Sequence, residues 1–260
     1  MTLAASLDLT YPRAGLRQAV SAEWAKLTTL RSTKWALLLT LLGTVLVTFL
    51  SARGSRGQPP GSFDPTNVSL AGLALGSLII GILGVLSITG EYGSSTIRSS
   101  LVATPRRAVF YGAKTIVLGG VALALGLVLS FVAFLEGQAV LAGAAPTATL
   151  ADPGVLRVLI ESGVYLALLT LFGVGIGAII RHSVGAIGGF VGCTFLLPVI
   201  LHSVAGNPGR FTPEVIYANS IAAVVPINGS PSSTVGLLLM TLYAVAALVI
   251  GGTLLARRDA

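Results

Sequence analysis

Long apolar runs separated by short polar segments dominate the chain. They cover 35–52, 68–89, 115–135, 155–180, 184–204 and 235–256. A helix needs about 20 apolar residues to cross a hydrocarbon core of about 30 Å. Backbone polar groups in lipid must find partners inside the segment, so each run predicts a helix rather than a loop or an open strand. The pattern predicts an all-α membrane protein. It has a polar N-terminal segment over 1–34, a six-helix transmembrane domain over 35–256 and a short tail over 257–260. The fourth run opens with Arg157 and Glu161 one turn apart, close enough to pair at its mouth.

The segments between the runs carry their own patterns. From Leu16 to Arg31, Leu16, Val20, Trp24, Leu27 and Leu30 recur at helical spacing, with Arg17, Lys26 and Arg31 around the rest of the surface. That is the signature of an amphipathic helix lying in the membrane interface. It is read either as a simple anchor or as a lever that ties an outside partner to the first span. Between the second and third runs, Glu91 follows Thr89 closely, Ser94 or Ser95 is placed to cap a short helix reaching about Ala103, and Pro105 closes it. This segment is either a solvated loop or a short helix that projects as a docking surface. Arg181, His182 and Ser183 leave room only for a tight hairpin. Over 205–234 the chain has its longest connection, in which Glu214–Val225 is apolar enough for a surface or re-entrant helix.

Composition narrows the class. Apolar residues make up 54% and charged residues 10% of the chain, and the mean hydropathy is +0.91. A soluble domain carries roughly a quarter charged residues, so much of this surface faces lipid. The net charge of +7 does not indicate nucleic acid, because the cations sit in the short segments between apolar runs. Of 16 Lys and Arg residues, only Arg53, Arg56, Arg157 and Arg210 fall on the side opposite the termini. The imbalance predicts that both termini are cytoplasmic. No apolar core begins near Met1, so the first run is expected to stay in the protein rather than be cleaved as a signal peptide.

Glycines four apart, Gly72 with Gly76, Gly173 with Gly177, Gly185 with Gly189 and Gly188 with Gly192, mark helix faces where backbones can approach closely. Pro198 removes one backbone donor from the fifth run and is a candidate kink. Candidate chemistry is sparse. Cys193 is the single cysteine, so no disulfide or cysteine-based metal site is expected. His182 and His202 stand at opposite ends of the fifth run, about 30 Å apart along a helix, too far to share a metal. No ionisable residue lies mid-span, where ion-coupled transporters usually carry one. No Gly-x4-Gly-Lys-Ser/Thr phosphate loop is present, so ATP is not bound by this chain. Catalytic, cofactor and metal residues are therefore assigned to none.

Two stretches resemble those of bacterial ABC-2 type permeases. One is Ala22-Glu23-Trp24-Ala25-Lys26-Leu27 with Leu30-Arg31-Ser32 before the first span. The other is Glu91-Tyr92, Thr96-Ile97-Arg98, Thr104-Pro105-Arg106-Arg107 and Lys114 between the second and third spans. The six-span layout, the tight hairpin and the long segment before the last span are similar too, over about Val20 to the C-terminus. The resemblance implies the membrane-spanning subunit of an ATP-driven exporter in a bacterial inner membrane, not itself an enzyme and containing no ATPase. It implies pairing with a second permease copy, identical or not, and with two copies of a cytoplasmic ABC ATPase that binds ATP and Mg. Glu91, Tyr92, Thr96, Ile97, Arg98, Arg106 and Arg107 would form the coupling helix that docks in the ATPase. Glu23, Trp24, Lys26 and Arg31 would belong to the connecting helix beside it, and Gly72, Gly76, Gly185 and Gly189 would pack helices. A lipophilic or amphipathic cargo fits the apolar spans. The alternatives are an ion-coupled secondary transporter and a non-transporting scaffold or sensor.

Overall fold

The computed structural model describes residues 15–257 apart from Ser95, Thr104, Pro105 and Gly206, and leaves the side chains at 98, 101, 103, 202–205, 207 and 208 undescribed. The expectations for 1–14 and 258–260, for the closing role of Pro105, and for the side chains of Arg98 and His202 lie outside the described residues. Regular structure among the described residues is helical throughout: α1 Leu16–Thr29, α2 Arg31–Gly54, α3 Pro65–Ser69, α4 Gly72–Gly93, α5 Thr96–Ala103, α6 Arg107–Leu141, α7 Val155–Ile180, α8 Ser183–Val191, α9 Leu197–Ala205, α10 Pro213–Ile216 and α11 Ser233–Arg257. A π-helical turn, Gly192–Leu196, joins α8 to α9. A 3-10 turn, Asn207–Phe211, precedes α10, and a second π turn, Tyr217–Ile221, follows it.

Six of these helical stretches are long and apolar enough to cross a membrane: Arg31–Gly54, Gly72–Gly93, Arg107–Leu141, Val155–Ile180, Ser183–Leu201 and Ser233–Arg257. The chain is an all-α, multi-pass membrane protein. The first span shows why its surface suits lipid. On α2, Thr33, Thr40, Thr44, Thr48 and Ala52 are buried in the bundle, while Leu38, Leu39, Leu42, Leu46 and Leu50 face outward. A water-soluble helix turns its leucines in; here the small side chains go in, because between helices in lipid close packing replaces the hydrophobic drive.

α7 lies at the centre, packed against α4, α6 and α11. Glycines make these contacts close. A Cβ on Gly84 would lie 2.4 Å from the Thr170 carbonyl oxygen, and one on Gly173 would lie 2.4 Å from the Gly81 carbonyl oxygen. Between α2 and α4, a Cβ on Gly72 would meet the Thr44 carbonyl oxygen at 2.1 Å.

The helix bounds differ from the apolar runs where side chains intervene. The second span begins at Gly72, four residues later than its apolar run. Asp64 Oδ1 accepts from Thr66 N and Asn67 N and starts α3 on Pro65. Thr48 Oγ1 then donates to the Ser69 carbonyl and Tyr217 OH to the Leu70 carbonyl, so these acceptors have partners outside the helix at the α3–α4 junction. The second span therefore ends later as well and takes in Glu91. α6 runs 35 residues, roughly 52 Å at 1.5 Å per residue, so it extends well beyond the core at its ends. In the fifth span the π turn stands just before Pro198. Proline has no N–H for the carbonyl four residues back and its ring crowds that carbonyl, which a locally widened turn relieves.

The 205–234 connection is not a helix on the lipid surface. Ile216, Tyr217, Ile221, Ala222 and Ala223 are buried, and the segment is fastened to the rest by backbone contacts. Asn67 Nδ2 donates to the Ala218 carbonyl, Val224 N donates to Asp64 Oδ2, and Arg157 Nη2 donates to the Val224 carbonyl. Tyr217 stacks on Tyr165 with ring centroids 4.6 Å apart. The apolar character of this stretch reflects burial against protein.

Candidate functional site

The end of the bundle that carries most of the cations is built around four charged side chains from three helices. α1 supplies Glu23 and Lys26, the last turn of α4 supplies Glu91, and the first third of α6 supplies Lys114. Lys114 Nζ donates to Glu23 Oε2 at 2.5 Å and to Glu91 Oε1 at 2.8 Å. Lys26 Nζ donates to Glu23 Oε1 at 2.7 Å, Glu91 Oε1 at 2.9 Å and, from α5, Ser100 Oγ at 3.3 Å. The side chain of Lys114 is 3% exposed. Both ammonium groups also stand over the Phe110 ring, 5.4 Å from its centroid for Lys114 and 5.7 Å for Lys26. Burial alone would lower the Lys26 pKa; the Glu23 and Glu91 carboxylates outweigh it, and the net shift is upward.

The ion pairs fix which face of α1 meets the bundle. The polar positions Glu23 and Lys26 hold the helix to α4 and α6, with Ala19 buried beside them, while Trp24, Leu16 and Leu30 are exposed. Glu91, which the resemblance places in the coupling helix, belongs to the same group. Its side chain is 12% exposed, inside the ion-pair group. Glu23 and Lys26 are neighbours in sequence, but nothing in the sequence shows that Lys114, 91 positions from Glu23, would meet them.

The other residues of the loop separate into anchors and outward-facing positions. Ile97 is 3% exposed and packs in a cluster with Ile88, Phe110 and Tyr111. The Tyr92 ring lies under the Arg181 guanidinium, 5.0 Å from its centroid. Arg107 Nη1 donates to the Leu255 carbonyl and Arg181 Nη2 to the Leu254 carbonyl, so two cations sit on the last turn of α11, where the helix dipole favours positive charge. Arg181 has φ 63° at the end of α7, a left-handed residue that closes the tight hairpin to α8. Thr96, Ser99, Arg106 and Arg31 are exposed, and Val102 is 81% exposed on α5.

Among the expected packing glycines, Gly72 and Gly76 face α2, where a Cβ on Gly76 would stand 2.5 Å from Thr44 Oγ1. Gly185 and Gly189 meet only Ile180 and Ile176 of the adjoining helix or the His182 ring, at 3.0 Å or more. A Cβ on Gly188 or Gly192 would meet nothing within 4 Å. Gly81 and Gly84 on α4, which fit none of the four-apart pairs singled out, make the tightest contacts with α7 and α8. No group of His, Cys, Asp and Glu able to hold a metal occurs among the described residues. His182 Nδ1 accepts from Gly185 N and caps α8.

At the opposite end, Glu214 on α10 has its Oε2 enclosed without a hydrogen-bond partner among the described residues. Burial pushes its pKa up to about 7. Arg157 and Glu161 pair at 2.7 Å in the first turns of α7.

Six spans, the first with its small side chains turned inward, a hairpin of α7 and α8 and a buried ion-pair group locking α1 to the bundle define a polytopic membrane component. The family described as ABC-2 family transporter protein matches residues 19–209, and the chain belongs to that family, in which it is a permease. The match takes in α1 through α9 and stops before α10 and α11. No curated protein matches the chain.

Proposed function

We propose that this permease forms the substrate pathway of an ABC-2 exporter as a dimer, with an identical or different second copy. A separate cytoplasmic ATPase, present in two copies and holding ATP and Mg, powers it. The basic end faces the cytoplasm of a bacterial cell, both termini lie there, and a lipophilic or amphipathic compound moves outward. One observation carries the reading: the ion-pair group clamps α1, α4 and α6 together around a short helix, α5, whose Val102 stands 81% exposed. An apolar side chain presented on a helix that is anchored by Ile97 and Ser100 suits a partner groove, and force applied there reaches three helices at once.

The docking surface on this reading is Thr96, Ser99, Val102 and Arg106, with Arg98 from the same helix. Glu91 and Lys26 act behind it, as the clamp. An ion-coupled transporter has no need of such a surface.

Val102→Glu places a charge in the contact and leaves the clamp intact. Truncating or charging a hot-spot residue at the centre of an interface costs roughly 2 kcal/mol or more, about thirtyfold in affinity. A partner ATPase that copurifies with the parent chain should therefore fail to copurify with Val102→Glu or Arg98→Ala, while Arg56→Ala at the other end copurifies normally. Full association and full transport-stimulated ATP hydrolysis by both variants in nanodiscs would remove α5 as the docking element.

A further inference from the structure

The corner between α1 and α2 borders, with α4, α6 and α7, a narrow cavity of about 250 Å³. Its lining reaches from Trp24, Thr28 and Lys34, which are exposed, to Ile80 and Thr170, which are buried. Pockets for drug-sized ligands begin at about 300 Å³, so this one suits a slender group such as a single alkyl chain. Leu37, Leu83, Leu118 and Val121 make its walls apolar. No Asp or Glu lines it among the described residues.

The mouth of this cavity selects for charge. Lys34 joins none of the ion pairs among the described residues, which engage Lys26, Lys114 and Arg157. It stands in the first turn of α2, where the capping residue Leu30 provides no side-chain acceptor and no acidic residue follows. The first N–H groups of this long helix therefore carry partial positive charge with no cap to meet them. Arg31 and Lys34 add two full charges at the same place. Thr33 supplies a further donor. It is 3% exposed and lines the cavity, and its hydroxyl has no hydrogen bond among the described residues. Unlike Thr44 Oγ1 and Thr66 Oγ1, that hydroxyl is not sealed off. Glu23 and Glu91 are already matched by Lys26 and Lys114. Donors and positive charge without a free carboxylate beside them favour an anion.

The outer surface of α2 continues the fit. Leu38 and Leu41, four and seven residues after Lys34, share its side of the helix and are exposed. A second chain can lie there while the first enters the cavity. We infer that this corner binds an anionic phospholipid from the leaflet at the α1 end. Its phosphate sits at Lys34 and Thr33, one acyl chain runs into the cavity past Leu37, and the other lies along Leu38 and Leu41. The inference goes beyond the permease reading. Binding needs neither ATPase nor transport, so the two stand or fall separately.

The chain contains two tryptophans, and Trp24 lines the cavity, so Trp35→Phe leaves one reporter at the site. In phosphatidylcholine nanodiscs, phosphatidylglycerol brominated on its acyl chains should quench Trp24 fluorescence saturably at low mole fraction. Unbrominated phosphatidylglycerol should reverse it. Brominated phosphatidylcholine should quench only in proportion to its amount. Lys34→Gln should raise the fraction needed for half-quenching about tenfold, the worth of one hydrogen bond to a charged group. Lys34→Arg should keep the parent curve. Arg17→Gln removes a charge from an exposed position of α1 that does not line the cavity, and it should also leave the curve unchanged. Lys34 and Arg17 are both exposed, and an unchanged unfolding temperature in phosphatidylcholine checks that each variant is folded. Quenching that never saturates, or equal losses in Arg17→Gln and Lys34→Gln, reports diffuse attraction to a basic surface and overturns the site. An unchanged curve for Lys34→Gln overturns the placement of the head group. A brominated fatty acid that saturates at the same fraction, with the same dependence on Lys34, overturns the assignment of a two-chain lipid.

Discussion

Lys114 Nζ donates to Glu91 Oε1 at 2.8 Å from a side chain that is 3% exposed, so the amino terminus of α6 and the last turn of α4 are joined by an enclosed charge pair. Removing one partner of such a pair leaves the other charge buried without compensation, which costs about 3–5 kcal/mol. Lys114→Ala and Glu91→Ala should each lower stability by that order in nanodisc unfolding experiments. Lys114→Met combined with Glu91→Gln should cost clearly less than the two single losses added together. Strict additivity would mean that the two groups are not coupled. Glu91→Ala is consequently a poor probe of ATPase docking, because it damages the clamp before it touches the surface.

The contrast between the spans and the clamp shows what a linear sequence can carry. Length and apolarity are local properties, so the runs that mark six spans were legible without a structure. Helix ends were less so: the Ser69 and Leu70 carbonyls are met by Thr48 and Tyr217, residues from distant parts of the chain. The candidate site was legible in membership but not in arrangement. Glu23, Lys26, Glu91 and Lys114 all stand in stretches with a readable pattern, yet the spacing that marks Leu16, Val20, Trp24, Leu27 and Leu30 does not show that Glu23 and Lys26 pack on other helices. It cannot register that α6 brings an ammonium group to α1. Buried charge pairs are long-range by nature, and periodicity reports only one helix at a time.

Glycine spacing shows the same limit and gives a second prediction. Gly84→Ala puts a methyl 2.4 Å from a backbone oxygen of Thr170, which can move only with α7. Overpacking of this kind costs about 1–3 kcal/mol. Gly188→Ala meets open space, and in a helix should be neutral or stabilising by up to about 1 kcal/mol. Unfolding of the two variants side by side decides it; equal effects would mean that the α4–α7 contact is looser than these distances.

The distribution of cations gives a third. In a Cys193→Ser background, a cysteine at Ser99 should react with an impermeant maleimide only after cells are opened. One at Ser62 should react in intact cells. Both serines are exposed on the subunit, and with the chain expressed without an ATPase partner, failure to label reports sidedness rather than burial. Labelling of Ser99 from outside would invert the bundle and remove α5 from the cytoplasm.

Glu214 provides a pH signature at the other end. Burial raises its pKa from 4.5 to about 7 in the folded protein, and burial keeps the neighbouring Tyr217 hydroxyl protonated over this range. Below pH 4.5 the carboxyl is protonated whether the chain is folded or not, and it exacts no penalty. Between 4.5 and about 7 the folded state keeps a proton that the unfolded state releases, so stability falls as pH rises. Above about 7 the loss is complete and constant. The shift of roughly 2.5 units sets a ceiling of about 3 kcal/mol, reduced by whatever solvent reaches the carboxyl. Glu214→Gln carries a neutral group of the same shape, so its unfolding midpoint should lose this slope and exceed that of the parent near pH 8. A parent protein whose stability is flat between about pH 5 and 8, or a Glu214→Gln variant with the same slope, would show that Glu214 is hydrated and that the packed 205–234 segment does not enclose it.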